Sequence, residues 1–252
     1  MSPNARLRRT ALIGLSLCCA AGIAFARPGS DWVTAIVKRD LDRIEQLLPD
    51  TDDVNEPTED GRTALMLAAG EARHELVLAL VARGASINAR NERGGSALMY
   101  AATGGDEASV TLLLTRGAEV NARARNGWTA LTLASARGFE NIVSILLAHG
   151  AEPNAADIYG WTPIMRAVQA GRLKVVRALA ANQRVEVNVA DENGQTALHH
   201  AAAQNELEIA RVLLAHGARR DSRDRAGRTS RMIAETAGYK ELAVLLGPTR
   251  EP

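Results

Sequence analysis

One stretch of about thirty-three residues is written again and again along this chain. Its clearest copy is Gly127 to Tyr159, GWTALTLASARGFENIVSILLAHGAEPNAADIY. The opening pattern Gly-x-Thr/Ser-x-Leu/Ile starts at Gly61, Gly94, Gly127, Gly160 and Gly194, at spacings of 33, 33, 33 and 34. A second mark, glycine followed by alanine, recurs at Gly84, Gly117, Gly150 and Gly217. A third is the asparagine four residues later, at Asn88, Asn121 and Asn154. Asn188 holds that place in the unit where Asn182 replaces the glycine and one residue is inserted. A fixed period of this length means stacked small units, none able to bury its apolar face alone.

Each mark has a physical reason. Thr63, Ser96, Thr129, Thr162 and Thr196 sit where a hydroxyl can cap the free N–H groups of a first helix. Paired alanines, such as Ala68-Ala69 and Ala101-Ala102, keep that helix thin enough for its neighbour to stack. Ile142, Val143, Leu146 and Leu147 give the second helix its buried stripe. Gly84, Gly117, Gly150 and Gly217 end that helix where a left-handed backbone is wanted. Composition agrees: 46% of the chain is apolar but only 3% aromatic, which suits thin layers rather than one thick core.

These residues resemble the ankyrin repeat, whose core reads Thr-Pro-Leu-His-x-Ala with a period of about 33. The resemblance runs from about residue 28 to residue 246. Proline survives only as Pro163 and histidine only as His199, with Met66, Met99, Thr132 and Met165 at the histidine place elsewhere. The resemblance implies an all-α solenoid of about seven helix-turn-helix units with hairpin-like finger loops, such as Ala155 to Gly160. The units expected are 28–60, 61–93, 94–126, 127–159, 160–193, 194–226 and 227–252, within one domain over 27–252. The first, with an acidic loop, and the last, stopped by Gly247-Pro248, read as caps with polar outer faces.

Residues 1–26 read as a signal peptide. Arg6, Arg8 and Arg9 form the positive region, Ala11 to Ala24 the apolar run, and Ala24-Phe25-Ala26 the small-x-small cleavage pattern. The run is shorter than the roughly 20 residues of a membrane span. An uncleaved anchor is the alternative, and Arg8-Arg9 fits a twin-arginine signal poorly. Both cysteines, Cys18 and Cys19, fall inside this segment, so the mature chain carries none. Its removal takes three arginines and no acid, turning the net charge from +1 to −2. Lysine occurs only at Lys38, Lys174 and Lys240, an arginine bias expected of a GC-rich bacterial genome. The expected location is the periplasm, with secretion beyond the cell as the alternative.

Nothing in the mature chain makes a case for catalysis. It has no cysteine nucleophile, HExxH pattern, phosphate-binding glycine loop or serine elbow. His199 is expected to be a hydrogen-bonded structural group, and His149 and His216 precede the helix-ending glycine, where a donor suits the carbonyl end. A metal-binding or enzymatic role through His199 and His200 is a further alternative, although neighbours on a helix point to different sides. The acids, one or two per finger, read as solvated surface, and no cofactor is expected. The cluster Arg219, Arg220, Arg223, Arg225 and Arg228 is interrupted by Asp221 and Asp224 and lacks aromatic stacking platforms, so nucleic acid is not expected.

The family resemblance implies a partner protein held on the concave face, by finger tips and first helices. The tip positions are Arg93 and Gly95, then Arg125, Asn126 and Trp128, then Ile158, Tyr159 and Trp161, then Glu192, Asn193 and Gln195. Arg137, Gln169 and Gln204 are the first-helix positions expected to face the same way. Trp128, Tyr159 and Trp161 concentrate three of the chain's few aromatics on two adjacent fingers. Trp, Tyr and Arg are common interface anchors. The tryptophans leave two readings open: anchors of an interface, or rings that pack across the finger. The chain is expected to act as a monomeric adaptor, protector or inhibitor of an envelope protein. The alternative is an immunity or effector protein that meets a toxin or host factor.

Overall fold

The computed structural model describes residues 30–247, so the expected signal peptide lies outside the described residues. Among these, fourteen helices and no strand are found, an all-α fold. They come in antiparallel pairs. The first are α1 (Asp31–Lys38) with α2 (Leu41–Leu47), α3 (Ala64–Gly70) with α4 (His74–Ala82), and α5 (Ala97–Gly104) with α6 (Glu107–Thr115). Then follow α7 (Ala130–Arg137) with α8 (Glu140–Ala148), and α9 (Pro163–Gln169) with α10 (Leu173–Ala180). The last are α11 (Ala197–Ala203) with α12 (Leu207–Ala215), and α13 (Ser230–Thr236) with α14 (Lys240–Leu245). None is long and apolar enough to cross a membrane.

The helices stack in two rows. From α3 to α13 the first helices pack one on the next, and from α4 to α14 the second helices do the same. Alanines and glycines face each other in the first row; a Cβ added to Gly104 would stand 2.7 Å from the carbonyl oxygen of Gly70. Branched side chains fill the second row, with Ile142, Val143 and Leu146 fully buried and Leu147 half-buried. The thin row packs the more closely of the two. One apolar core runs unbroken from Trp32 to Leu246.

Caps follow the expected chemistry with two exceptions. Thr63, Ser96 and Thr129 accept the backbone N–H three residues on, at 3.4, 3.4 and 3.2 Å. Thr162, before Pro163, does not; its hydroxyl is buried without a partner. At Thr196 the imidazole takes over: His199 Nδ1 accepts the Thr196 backbone N–H at 3.1 Å. The second helices end on Gly84, Gly117, Gly150 and Gly217 at φ of 84 to 85°. Asn182 does not adopt that backbone; the inserted residue turns the chain instead, and the Asn182 side chain accepts the Arg184 N–H at 2.9 Å.

The asparagine mark proves to be a clamp between units. Asn121 Nδ2 donates to the Gly150 carbonyl at 3.1 Å, and its Oδ1 accepts the Glu152 N–H at 2.8 Å. Asn55, Asn88 and Asn188 repeat this pair of bonds one unit further on. Asn154 does so too, with the Arg184 carbonyl in the glycine's place at 2.7 Å.

Candidate partner-binding face

Every finger closes by the same two backbone bonds. In the fourth, Asp157 N–H donates to Trp161 carbonyl at 3.0 Å and Gly160 N–H to Asp157 carbonyl at 3.0 Å. Gly160 takes φ of 78°, a left-handed turn natural to glycine. A Cβ there would also lie 2.9 Å from the Glu192 nitrogen of the next finger. Neighbouring fingers are laced by one further bond, for example Ile158 N–H to Asn126 carbonyl at 3.2 Å.

The residue that opens the finger decides how the N–H groups of the tip are held. Asp157 Oδ1 accepts the N–H groups of Tyr159 and Trp161 at 2.9 and 3.0 Å. Asp191 serves Asn193 and Gln195 in the same way, Asp224 serves Ala226 and Arg228, and Asn91 serves Arg93 and Gly95. These three aspartates are buried, which corrects the expectation that the finger acids are solvated surface. Nine residues on, the first helix sends a partner back. Asn91 Nδ2 donates to Tyr100 Oη at 2.9 Å, the Arg166 guanidinium pairs with Asp157, and His200 Nε2 meets Asp191 Oδ2 at 3.0 Å. Asp224 uses Arg228 instead, at 2.7 Å.

The third finger breaks the rule. Ala124 holds the acceptor's place and Leu133 its partner's. Only Asn126 Oδ1 remains to accept the Trp128 N–H, at 3.1 Å. Between this finger and the second lies an open cleft of about 390 Å³, bordered by Met99, Tyr100, Thr103, Leu133 and Trp128.

A stack runs from the third finger across the fourth to α11, the first helix of the sixth unit. Trp128 Nε1 donates to Asp157 Oδ2 at 3.1 Å. The Arg166 guanidinium lies 5.0 Å from the ring centre of Trp128 and 4.5 Å from that of Trp161. Trp161 in turn leans on His200, ring centres 4.1 Å apart and inclined at 39°. Burial alone would raise the Asp157 carboxyl, but Arg166 and the two tip N–H groups outweigh it and hold its pKa below the ordinary value. Burial lowers His200, against the pull of Asp191. His199, lowered by burial too, spends both ring nitrogens: Nδ1 on Thr196 and Nε2–H on the Arg228 carbonyl at 3.2 Å. Its expected structural role therefore holds. His149 and His216 place Nδ1 on the carbonyls of Ile145 and Val212, as expected of helix-end donors. Among the described residues no three His, Cys, Asp or Glu side chains converge as a metal site.

Ile158 and Tyr159 stand out from the fourth finger, 53% and 57% exposed. Arg93, Arg125, Asn126, Glu192 and Asn193 are exposed at their tips, while Trp128, Trp161 and Gln195 are half-buried. The tryptophans thus pack across the fingers and still show an edge. Arg137, Gln169 and Gln204 are exposed at helix ends but do not share one direction. Gln169 holds the register of Thr103, which borders the cleft; Arg137 and Gln204 hold that of Gly104, whose Cβ direction points at α3. Sequence reasoning passed over Tyr100, Leu133, Asp157 and Arg166. The signal was there in the second to fifth fingers, where residues nine apart change together: Asn91 with Tyr100, Ala124 with Leu133, Asp157 with Arg166 and Asp191 with His200.

Comparison with known proteins agrees with this geometry. The family model for ankyrin repeats (three copies) matches residues 33–124, 98–191 and 183–249. The crystal structure of the human ASB11 ankyrin repeat domain superposes with a TM-score of 0.75 at 24% identity, covering 88% of this chain and 100% of that one. Over 52 residues, 21% of this chain, the sequence is 42% identical to palmitoyltransferase akr1 of Schizosaccharomyces pombe, of which the match spans 8%. Over 60 residues it is 40% identical to potassium channel AKT1 of Oryza sativa subsp. indica, 24% of this chain and 6% of that protein.

Proposed function

We infer the function from the premise that this chain belongs to the ankyrin-repeat family, a family of protein-interaction modules. In our reading it binds a partner protein on the curved face made by its finger tips and first helices, and performs no chemistry. The observation that carries this is the adjacent pair Ile158 and Tyr159, both more than half exposed at one finger tip beside the edges of Trp128 and Trp161. Large apolar side chains held out on a rigid tip are what an interface anchor requires. The tip is held by the Asp157 bonds, so little ordering cost remains for binding.

We place the protein outside the inner membrane of a bacterium, most simply in the periplasm, on the strength of residues 1–26 and the cysteine-free remainder. There it serves as a monomeric adaptor, protector or inhibitor of an envelope protein. Site-specific photo-crosslinking in the producing cells tests the binding face. The probe belongs at Tyr159, since replacing Trp161 would disturb its stack with His200. Ser144, exposed on α8 of the outer row, is the control. A discrete adduct from position 159 and none from 144 is expected. Adducts from 144 alone, or from neither position in folded protein, sink the reading.

A further inference from the structure

We propose that the cleft between the second and third fingers is a specificity pocket for a large apolar side chain carried on an acidic, extended segment of the partner protein. This deepens the interaction reading above and rests on it. The pocket exists because one unit departs from its neighbours. In the fourth finger Asp157 and Arg166 fill the corresponding space, with the guanidinium lying between two indole rings. In the third finger the same two places hold Ala124 and Leu133, neither of which can reach across. Tyr100 stands on the other side, its hydroxyl tied back to Asn91 at 2.9 Å, and Trp128 forms the end wall. The opening of about 390 Å³ is thus apolar inside and held in shape by bonds outside it. That volume lies at the small end of the roughly 300–1,000 Å³ of ligand sites, room for a side chain rather than a domain.

Charge selects what surrounds that side chain. Arg93 and Arg125 border the cleft, and both are exposed. Neither is held in an ion pair among the described residues. Glu92, next along the tip, does not border the cleft. Two free guanidinium groups beside an apolar opening favour carboxylates flanking the inserted group, and disfavour basic segments.

A displayed library of random linear peptides, selected on the immobilised protein, tests this. Selected peptides are expected to place an aromatic or large aliphatic residue next to aspartate or glutamate, with binding that weakens as salt is raised. Two double variants locate them. Ala124→Asp with Leu133→Arg installs the pair the next finger already carries, so the fold tolerates it, and fills the cleft. Arg93→Glu with Arg125→Glu reverses the rim. Each should weaken binding by about tenfold or more, with circular dichroism unchanged. Selected peptides that lack acidic residues, or that ignore both double variants, overturn the inference. If they respond instead to Tyr159→Ala, the curved-face reading stands and only the pocket falls. If no selected peptide depends on either place, both fall.

Discussion

The indole of Trp128 donates to the carboxylate of Asp157 at 3.1 Å, across the boundary between the third and fourth fingers. The same carboxylate holds Arg166 and two tip N–H groups. Removing it as Asp157→Ala leaves a largely buried guanidinium and several donors unpaired at once. A loss of about 3 kcal/mol is expected, read as a lower urea midpoint. Asp157→Asn, which keeps the acceptor oxygen, should lose clearly less.

Two threonines in equivalent places should answer oppositely to valine. Thr129 Oγ1 caps α7 through the Thr132 N–H at 3.2 Å, so Thr129→Val should cost about 1 kcal/mol. Thr162 Oγ1 is buried without a partner before Pro163, so Thr162→Val should be neutral or stabilise by up to about 1 kcal/mol. Paired thermal and urea unfolding of the two variants checks the contrast.

The turn between paired helices needs a left-handed residue, and the chain supplies it unevenly. Ala72 takes φ of 54° where the next unit uses Gly105 at 84°. Ala72→Gly should therefore stabilise by about 0.5 kcal/mol, the strain relieved being only partly cancelled by backbone entropy. Gly105→Ala should destabilise by about 2 kcal/mol, since a Cβ there would lie 2.7 Å from the Phe139 ring. Melting temperatures of the two variants give both signs.

Acid should weaken the fold in two steps. Burial keeps His199 and His200 below their ordinary 6.5 in the folded state, so the unfolded chain takes up protons first as pH falls. Their contribution is complete above pH 6.5 and is lost as pH drops toward the lower folded values. A proton on His199 Nδ1 would also displace the Thr196 N–H. Asp157 and Asp224 act in a second window, because their carboxyls sit below the ordinary 3.8, with the Arg228 bond pulling Asp224 down to about 2. Urea midpoints should fall below about pH 6.5 and again below about pH 4. His199→Gln should make the first decline shallower, His200 supplying the rest; an unchanged decline would remove His199 from the account.

The proposed export makes its own prediction. Protein recovered from the periplasmic fraction should begin at Arg27, the residue after Ala24-Phe25-Ala26. Intact-mass measurement decides it: a full-length chain retained on membranes would favour the uncleaved anchor.

The repeat was legible because its marks are local. A hydroxyl before Ala130 or a glycine after His149 acts within its own turn, so the sequence shows both the residue and its reason. Bonds between units were harder to see. Asn121 is visible in the sequence as a mark of the repeat, but not its two bonds to Gly150 and Glu152, because those partners lie 29 and 31 residues away. Asp157 reads as a solvated acid because charge alone says nothing of burial; only the Trp128 and Arg166 contacts show it enclosed. Trp161 was readable as an aromatic near a tip, but its division between packing on His200 and facing solvent depends on distance. The cleft escaped notice for a simpler reason: Ala124 and Leu133 look ordinary unless set beside Asp157 and Arg166.

The backbone bond that laces one finger to the next recurs at five boundaries, from Glu92–Asp60 to Arg225–Asn193, always donated by the later finger to the earlier. The chain is therefore a directional modular polymer, with every joint cut to one template. A copy of residues 127–159 spliced in at Gly160 would meet a compatible joint on either side. Evolution can lengthen, shorten or reshuffle such a surface by whole units, and one altered pair of side chains, as at Ala124 and Leu133, is enough to give a single unit its own taste in ligands.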